Sequence, residues 1–355
     1  MANYTNKFNF CGEIMIPKRS PLVKREHKNS DMISMNLGIK NGTNCVFVTA
    51  KEFKNSVIKT RNDDNEPIEI DWNDRLDEDV IKSVRPGNRY VVDLNERKEF
   101  ITQWDMIEYL ETILPSYEGK IVVSGRFVKR PYKDRFFDEF QVRNVYAADA
   151  DAKPRFKLNL ELYYNKDSVD TSNVKEDGKI YLNAYVPMWM GSEEGVKLMP
   201  QTLVFNTAIY DMENPMHKTQ YELKMHELMV KSKTPVRMGW ELVVINGAEE
   251  KEFDESCLTE LQRKYVEAGL KTLEDYKRGR VLGERVKEYR LFLPDLTGDF
   301  ANGCVDSGYT AKEFEEAIYV PSRDESFADV EKNTSKSNDS VAHEEKDAVG
   351  LGDLF

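Results

Sequence analysis

The sequence predicts a mainly β protein with some α-helix. Apolar and polar residues alternate over several short segments of the first 250 residues, and Asn41-Gly42 is a typical hairpin turn between two of them. After Asp254 the apolar spacing becomes three to four residues, which is typical of helices. The chain has 355 residues, more than one hydrophobic core usually organises, so two domains with appendages are expected.

Five strands are predicted in the first part of the chain: Phe8–Ile16, Met32–Ile39, Cys45–Val48, Ile121–Val128 and Phe136–Tyr146. Between the third and fourth, the capping box Thr49-Ala50-Lys51-Glu52 predicts a short helix, and Thr102 predicts the cap of another. This order of elements is that of the oligonucleotide/oligosaccharide-binding barrel, the OB-fold. Residues 1–150 are therefore expected to form an OB-fold domain that binds nucleic acid, with an exposed acidic insertion at about 62–80.

Residues 151–250 are predicted to form a second, less regular OB-like β domain, with strands at Arg155–Tyr163, Lys179–Val186, Thr202–Phe205 and Gly239–Ile245. Tyr221, Met225 and Leu228 have helical spacing, and a strand is the alternative there. Residues 251–322 are expected to be a helical region, with Thr272 and Thr310 as caps. Residues 323–355 are expected to be a disordered acidic tail.

The charge is distributed unevenly along the chain. The net charge is −12, yet residues 1–61 carry eleven Lys and Arg against four acids, and residues 120–157 carry ten against five. Basic segments on an acidic protein favour one polyanion-binding groove, with acidic surface elsewhere opposing indiscriminate adhesion.

The strongest site signal is the segment from Arg126 to Phe137, where cations alternate with aromatic residues. Cations neutralise phosphates and flat rings stack on unpaired bases, which a single strand requires. The residues predicted to bind are Arg126, Lys129, Arg130, Tyr132, Lys133, Arg135 and Phe137. Alternation in a hairpin places about half of the aromatic rings in the core, so Tyr132 and one of Phe136 and Phe137 are expected outside.

A second basic segment joins the first two strands. Its predicted nucleic-acid contacts are Lys18, Arg19, Lys24, Arg25 and Lys28. In an OB-fold this loop and the one between the last two strands flank the same face, so the two segments are expected to meet at one groove. A third cluster, Lys277, Arg278, Arg280, Arg285, Lys287 and Arg290, is interpreted as partly helical and solvated, with an extension of the nucleic-acid path as the alternative. Trp189 is a base-stacking or a core residue.

The C-terminal segment is acidic and ends on apolar side chains. From Asp324 onward it holds nine acids against three lysines, and it closes with Asp353, Leu354 and Phe355. Such a segment cannot bury enough apolar surface to offset its ordering entropy, but its end could enter a small basic pocket on another protein.

Motifs for catalysis and for cofactors are missing from the sequence. It lacks a phosphate-binding loop, a Gly-x-Gly-x-x-Gly fingerprint and a His-Glu-x-x-His pair, so we expect a protein that is not an enzyme and needs no cofactor or metal. The N-terminus lacks the apolar core of a signal peptide, no apolar run could span a bilayer, and the four cysteines are scattered. We therefore expect a cytoplasmic protein without a membrane partner.

The basic OB-like body with an acidic tail ending in Gly352-Asp353-Leu354-Phe355 resembles the single-stranded DNA-binding proteins of bacteria and, with two barrels in one chain, those encoded by bacteriophages. The bacterial tail typically ends in several Asp followed by Ile-Pro-Phe, whereas here a single Asp precedes Leu354. The resemblance implies sequence-independent coating of single strands in replication, recombination and repair, in the host cytoplasm if phage-encoded. It also implies that the tail recruits a polymerase, helicase or nuclease. Self-association is compatible with it.

Two other functions remain as alternatives. A metal-dependent nucleic-acid enzyme or its subunit could use acids such as Asp63, Asp64 and Asp71 with Mg²⁺. An RNA-binding or virion assembly protein would use the same basic and aromatic residues on a different polymer.

Overall fold

The computed structural model describes residues 6–18, 20–27, 31–133, 135–191, 194–250, 258–277 and 282–321. Its strands are β1 (Lys7–Met15), β2 (Val23–Glu26), β3 (Met32–Asn41), β4 (Asn44–Phe53), β5 (Val57–Arg61), β6 (Pro67–Asp71), β7 (Tyr90–Asp93), β8 (Arg97–Phe100), β9 (Ile121–Tyr132), β10 (Arg135–Ala147), β11 (Arg155–Tyr164), β12 (Val169–Asp170), β13 (Lys179–Trp189), β14 (Val196–Asn206), β15 (Val236–Glu250), β16 (Leu282–Pro294) and β17 (Val305–Asp306). Its α-helices are α1 (Glu78–Ser83), α2 (Gln103–Ile113), α3 (Val174–Asp177), α4 (Pro215–Leu228), α5 (Glu260–Glu267), α6 (Leu273–Lys277) and α7 (Ala311–Ala317). Short 3-10 helices cover Trp72–Asp74, Pro86–Asn88, Leu114–Ser116, Lys166–Ser168 and Gly298–Phe300.

Five strands close a first barrel in the order β1-β3-β4-β10-β9. Strand β1 pairs antiparallel with β3 through its second half and with β9 through its first half. Strand β10 pairs antiparallel with β9 and parallel with β4, where Gln141 lies opposite Thr49. Helix α2 lies in the chain between β4 and β9 and begins at its side-chain cap, Thr102. This strand order, with the helix before the fourth barrel strand, is that of the OB-fold, and the predicted class, mainly β with α, is confirmed.

Five later strands form a second barrel in the equivalent order, β11-β13-β14-β16-β15. Strand β11 pairs antiparallel with β13 and β15, and β14 runs parallel to β16 at Val204 and Arg290. Helix α4 separates β14 from β15 in the chain, and Asn214 caps it one residue before Pro215. Tyr221 therefore lies in a helix and not in the alternative strand. The second barrel repeats the OB-fold topology of the first.

The closing strand of the second barrel corrects the prediction of a helical region at 251–322. Helices α5, α6 and α7 lie within that range, and Thr259, Gly269 and Thr310 mark their ends as caps do. Residues 282–294, however, form β16, which pairs with β15 over most of its length. The interpretation of this basic segment as partly helical is wrong from residue 282 because β15 supplies a pairing edge that local sequence does not reveal.

The helix predicted from the capping box at Thr49 is also absent, because residues 49–52 belong to β4. Strand β4 pairs with β3 over ten residues, and Val46, Val48 and Ala50 are buried inside the barrel. The Glu52 carboxylate instead accepts a hydrogen bond of 2.7 Å from the backbone N–H of Trp104 in the first turn of α2. The acid of the apparent cap therefore helps to cap a different helix.

The acidic insertion is folded. Strands β5 and β6 form a hairpin, and a small cluster of Ile70, Val84 and Ile101 holds it against the adjoining segments. The acids Asp71 and Asp77 accept backbone hydrogen bonds at the start of the helical turns that follow. Asp63 and Asp64 are exposed at the hairpin tip.

The two barrels are joined by backbone pairing. The first half of β1 pairs antiparallel with β11, so that fifteen described strands belong to one continuous sheet. The turn between β3 and β4 docks on β15, where the Asn44 and Asn246 side chains each bond the other strand's backbone. Asn44 Nδ2 donates to the Val244 carbonyl at 3.0 Å, and Asn246 Nδ2 donates to the Cys45 carbonyl at 2.7 Å. The buried residues of both barrels form one contiguous core.

None of the helices in the described ranges is long and apolar enough to cross a membrane.

Candidate nucleic-acid interface

The tip of the β9–β10 hairpin carries two exposed aromatic rings. Tyr132 is 62% and Phe137 52% exposed, and their ring centroids lie 6.0 Å apart in an edge-to-face arrangement. Lys133 adopts a left-handed backbone at the turn, with its ammonium 5.6 Å from the centre of the Tyr132 ring. Arg130 and Arg135 are exposed beside them. The exposure expected for Tyr132 and one further aromatic ring is thus confirmed, and their contact with nucleic acid stays a prediction.

The opposite face of this hairpin is buried against the second barrel. Lys129 Nζ donates to Asp138 Oδ1 at 2.9 Å and to Gln201 Oε1 of β14 at 2.7 Å. The Tyr289 hydroxyl of β16 donates to the other Asp138 oxygen at 2.6 Å, and burial raises the pKa of Tyr289 well above its ordinary value. Lys129 is only 7% exposed, so it cannot meet a phosphate and the expectation that it binds nucleic acid is wrong. The alternation of the strand places it inward, where Asp138 of β10 balances its charge and Gln201 of the second barrel accepts a second hydrogen bond.

A second contact fixes the hairpin from the same side. The Phe136 ring packs edge-to-face on Tyr319 at 6.0 Å, just beyond α7. The hairpin is therefore a braced platform that presents the Tyr132 side to solvent.

Residues of the basic segment before β3 differ in their contacts. Strand β2 pairs with β3, and the Arg25 guanidinium forms two hydrogen bonds, of 3.1 and 2.6 Å, with the Glu111 carboxylate of α2. Glu108 lies 3.8 Å from the same guanidinium. Arg25 thus ties β2 to α2, whereas Lys24 is exposed and lies opposite Ser34 on the outward side.

The other predicted residues of this segment are only partly described. Lys18 is exposed after β1. Arg19 and Lys28 lie outside the described residues, and so do the tail residues Asp353, Leu354 and Phe355.

A groove of about 390 Å³ runs over the outer face of the first barrel. It is lined by Thr49, Lys51, Phe53, Gln103, Arg130, Glu139 and Gln141. Glu139 connects its two sides, since it accepts a hydrogen bond of 2.7 Å from Arg130 and one of 3.2 Å from the Thr49 hydroxyl. The groove is polar with one exposed ring at its rim, as a surface that follows a sugar–phosphate backbone requires.

Arg126 extends this face across the barrel wall. It is exposed, lies opposite Gln141 on one side and Lys7 on the other, and forms no ion pair with any described residue. Burial lowers the pKa of the neighbouring Arg143, and the charge of Arg126 lowers it further. Arg143 is held by the ring of Tyr90 at 5.3 Å, which leaves Arg126 as the cation that faces solvent.

Three exposed outward residues of β4 were not predicted from the sequence. Phe47 is 40% and Phe53 46% exposed, and the Lys51 ammonium lies 5.1 Å from the centre of the Phe53 ring. All three point outward from β4. If residues 45–53 are interpreted as a strand, the alternation of side chains places all three residues on one side. The interpretation of residues 49–52 as a capping box obscured this alternation.

Strand register places the two basic segments at opposite ends of the face. Lys24 lies opposite Ser34, which lies opposite Lys51 near the end of β4. Arg130 lies opposite Phe137, four residues before the Gln141 that meets Thr49. The two segments therefore flank the groove, with the groove residues between them.

Part of the equivalent face of the second barrel is contacted by its own chain. The Phe314 ring of α7 packs edge-to-face on Tyr185 at 5.3 Å, and Ile318 forms a parallel bridge with Leu198 of β14. Trp189, at the end of β13, is 68% exposed and is not a core residue.

The third basic cluster lies mostly on β16. Arg285 and Lys287 are exposed there, and Arg290 is half-buried against Glu288. Lys277 ends α6, and Arg278 and Arg280 fall outside the described residues.

Asp63, Asp64 and Asp71 of the insertion are the acids that a metal-dependent enzyme could use. Within the described ranges, no three or more His, Cys, Asp or Glu side chains are grouped so as to hold a metal ion.

Comparison with known proteins gives distant structural matches alone. No family model and no curated protein matches the chain. The wild-type single-stranded DNA binding protein from Thermus aquaticus matches at 9% sequence identity, over 68% of this chain and 87% of that one, with a TM-score of 0.30. A deletion mutant of that protein matches at 10% identity, over 69% and 89% of the two chains, with a TM-score of 0.31. The OB-fold assignment rests on the strand order of the two barrels.

Proposed function

We propose that this protein binds single-stranded DNA without sequence preference, through the outer face of its first barrel and the β9–β10 hairpin. The observation that carries the proposal is the pair of exposed rings, Tyr132 and Phe137, among Arg130, Lys133 and Arg135 on a braced hairpin. Each base stacked on an aromatic ring contributes about 1–3 kcal/mol, and every base offers a flat face.

The neighbouring groove supplies the phosphate contacts. Lys24, Lys51 and Arg126 are exposed along it. Glu139 takes up one positive charge, that of Arg130, so the face as a whole stays cationic. The binding is non-enzymatic, and we place it in DNA replication, recombination and repair, where the acidic tail ending in Asp353, Leu354 and Phe355 recruits a partner enzyme.

The test is a salt titration of binding to oligo-dT by fluorescence anisotropy. The logarithm of the association constant should fall linearly with that of the salt concentration, by about 0.7 per neutralised phosphate. Absence of binding at about 50 mM salt would falsify the proposal. Equal competition by oligo-dT and by structured RNA would also count against it, since it would indicate an RNA-binding protein.

A further inference from the structure

A cleft between the two barrels begins where the groove ends. It has a volume of about 180 Å³ and is lined by Val46, Phe47, Asp138, Phe140, Val244, Ile245, Asn246, Lys287, Glu288 and Tyr289. Phe47 and the groove residue Thr49 are successive outward residues of β4, so their Cα atoms are about 7 Å apart. The groove and the cleft therefore adjoin each other along β4.

Phe47 presents an uncovered ring at the mouth of the cleft. It is 40% exposed, and among the described residues no aromatic ring or cation stacks on it. Its partner in the β3–β4 register is Gly38, which has no side chain to cover it. Phe292 on β16 is equally exposed at 39%, but Arg155 and Lys224 lie 4.7 and 5.4 Å from its ring centre. Of these two rings, Phe47 is the one free to stack on a base.

The acids that line the cleft are compensated. Asp138 is bonded by Lys129 and by the Tyr289 hydroxyl. Glu288 is bonded by Lys179 at 2.5 Å and by Arg290 at 2.8 Å.

Lys287, by contrast, is exposed and forms no ion pair with any described residue. A phosphate at the mouth of the cleft would therefore meet an uncompensated cation beside carboxylates that are already neutralised.

We propose that the DNA strand continues from the first barrel into this cleft, where Phe47 stacks on a base and Lys287 binds a phosphate. The second barrel then contributes through Lys287 of β16, which lines the cleft. The inference rests on the proposed function and adds a subsite formed by both barrels.

The test compares two labelled oligo-dT ligands, one of about 4 and one of about 25 nucleotides, since a single OB-fold binds about 4–16 nucleotides. Phe47→Leu should weaken binding of the longer ligand about tenfold and that of the shorter less than twofold. Lys287→Gln should weaken the longer ligand and reduce its salt slope by about 0.7. Phe292→Leu and Lys175→Gln, which alter an equally exposed ring and an exposed lysine outside the cleft, are the controls and should leave both ligands unaffected.

The outcomes separate this inference from the proposed function. If the wild-type protein binds neither ligand, the proposed function fails. If it binds both, and Phe47→Leu and Lys287→Gln behave as their controls do, the cleft subsite is overturned while the first-barrel site stands. An equal loss for the short and long ligands would place Phe47 in the first-barrel site and would also overturn the continued path.

Discussion

Side chains on the two faces of the β9–β10 hairpin have different surroundings. Phe127 and Phe140 are buried in the core, Lys129 and Asp138 bond the second barrel, and Tyr132 lies in solvent. This division follows from the strand period of two, in which successive side chains point to opposite faces.

The exposed rings should contribute directly to DNA affinity. Changing both Tyr132 and Phe137 to Ala should weaken oligo-dT binding at least tenfold, because each stacked base contributes about 1–3 kcal/mol. Anisotropy titration measures the loss, and thermal unfolding should show an unchanged midpoint since both rings are exposed. Tyr265→Ala, at a 45% exposed ring on α5, is the matched control. Wild-type affinity in the double variant would exclude these rings from the site.

Lys129 should affect stability and not DNA contact. Lys129→Met leaves the Asp138 carboxylate without its buried cation, which costs roughly 3–5 kcal/mol when one partner of a buried pair is removed. Urea unfolding should show a lower midpoint. Lys133→Met, at the exposed tip, should keep the midpoint and weaken DNA binding instead. A lower unfolding midpoint for Lys133→Met together with weaker DNA binding for Lys129→Met would instead indicate that Lys129 contacts DNA.

At the scale of elements, the turn between β3 and β4 locks the two barrels together. A Cβ atom added to Gly247 of β15 would lie 2.5 Å from the Thr43 carbonyl oxygen and 2.8 Å from the Asn44 Cα. The close approach of these backbones allows Asn246 to donate hydrogen bonds to the Asn44 side chain and to the Cys45 carbonyl.

Gly247→Ala should therefore loosen this docking. The thermal midpoint should fall by several degrees, as about 1–2 kcal/mol of destabilisation produces in a chain of this size. Gly87→Ala is the control, since a Cβ atom there meets nothing within 4 Å. Equal midpoints for the two variants would show that the turn can shift without cost.

For the whole molecule, the residues that follow α7 contact the β9–β10 hairpin. Tyr319 packs on Phe136 of the hairpin, and the described residues end at Pro321. The acidic segment begins five residues after Tyr319 in the sequence, and we expect it to compete with DNA for the basic face.

Removing residues 324–355 should consequently tighten oligo-dT binding, and more strongly at low salt, where charge competition is screened least. Parallel salt titrations of the full-length and truncated proteins measure this difference. Unchanged or weaker DNA affinity after truncation would contradict the competition.

Changing Leu354 and Phe355 to Ala should abolish partner recruitment and leave DNA affinity almost unchanged.

The sequence by itself determined the class of fold, the strand order of the first barrel and the caps at Thr102 and Thr310. It also determined that Tyr132 would be exposed. These features depend on neighbours within a few residues, through side-chain alternation and capping hydrogen bonds.

Only the tertiary structure decided the features that depend on contacts between residues far apart in the sequence. Lys129 bonds Gln201, 72 residues away, and Arg25 bonds Glu111, 86 residues away. Strand β16 forms because it pairs with the edge of β15. Phe47 is a candidate for base stacking because it lies in the cleft beside the second barrel. The local sequence pattern could show that these residues are basic, aromatic or in a strand. Their roles depend on whether a group distant in the sequence pairs with each charge or packs on each ring.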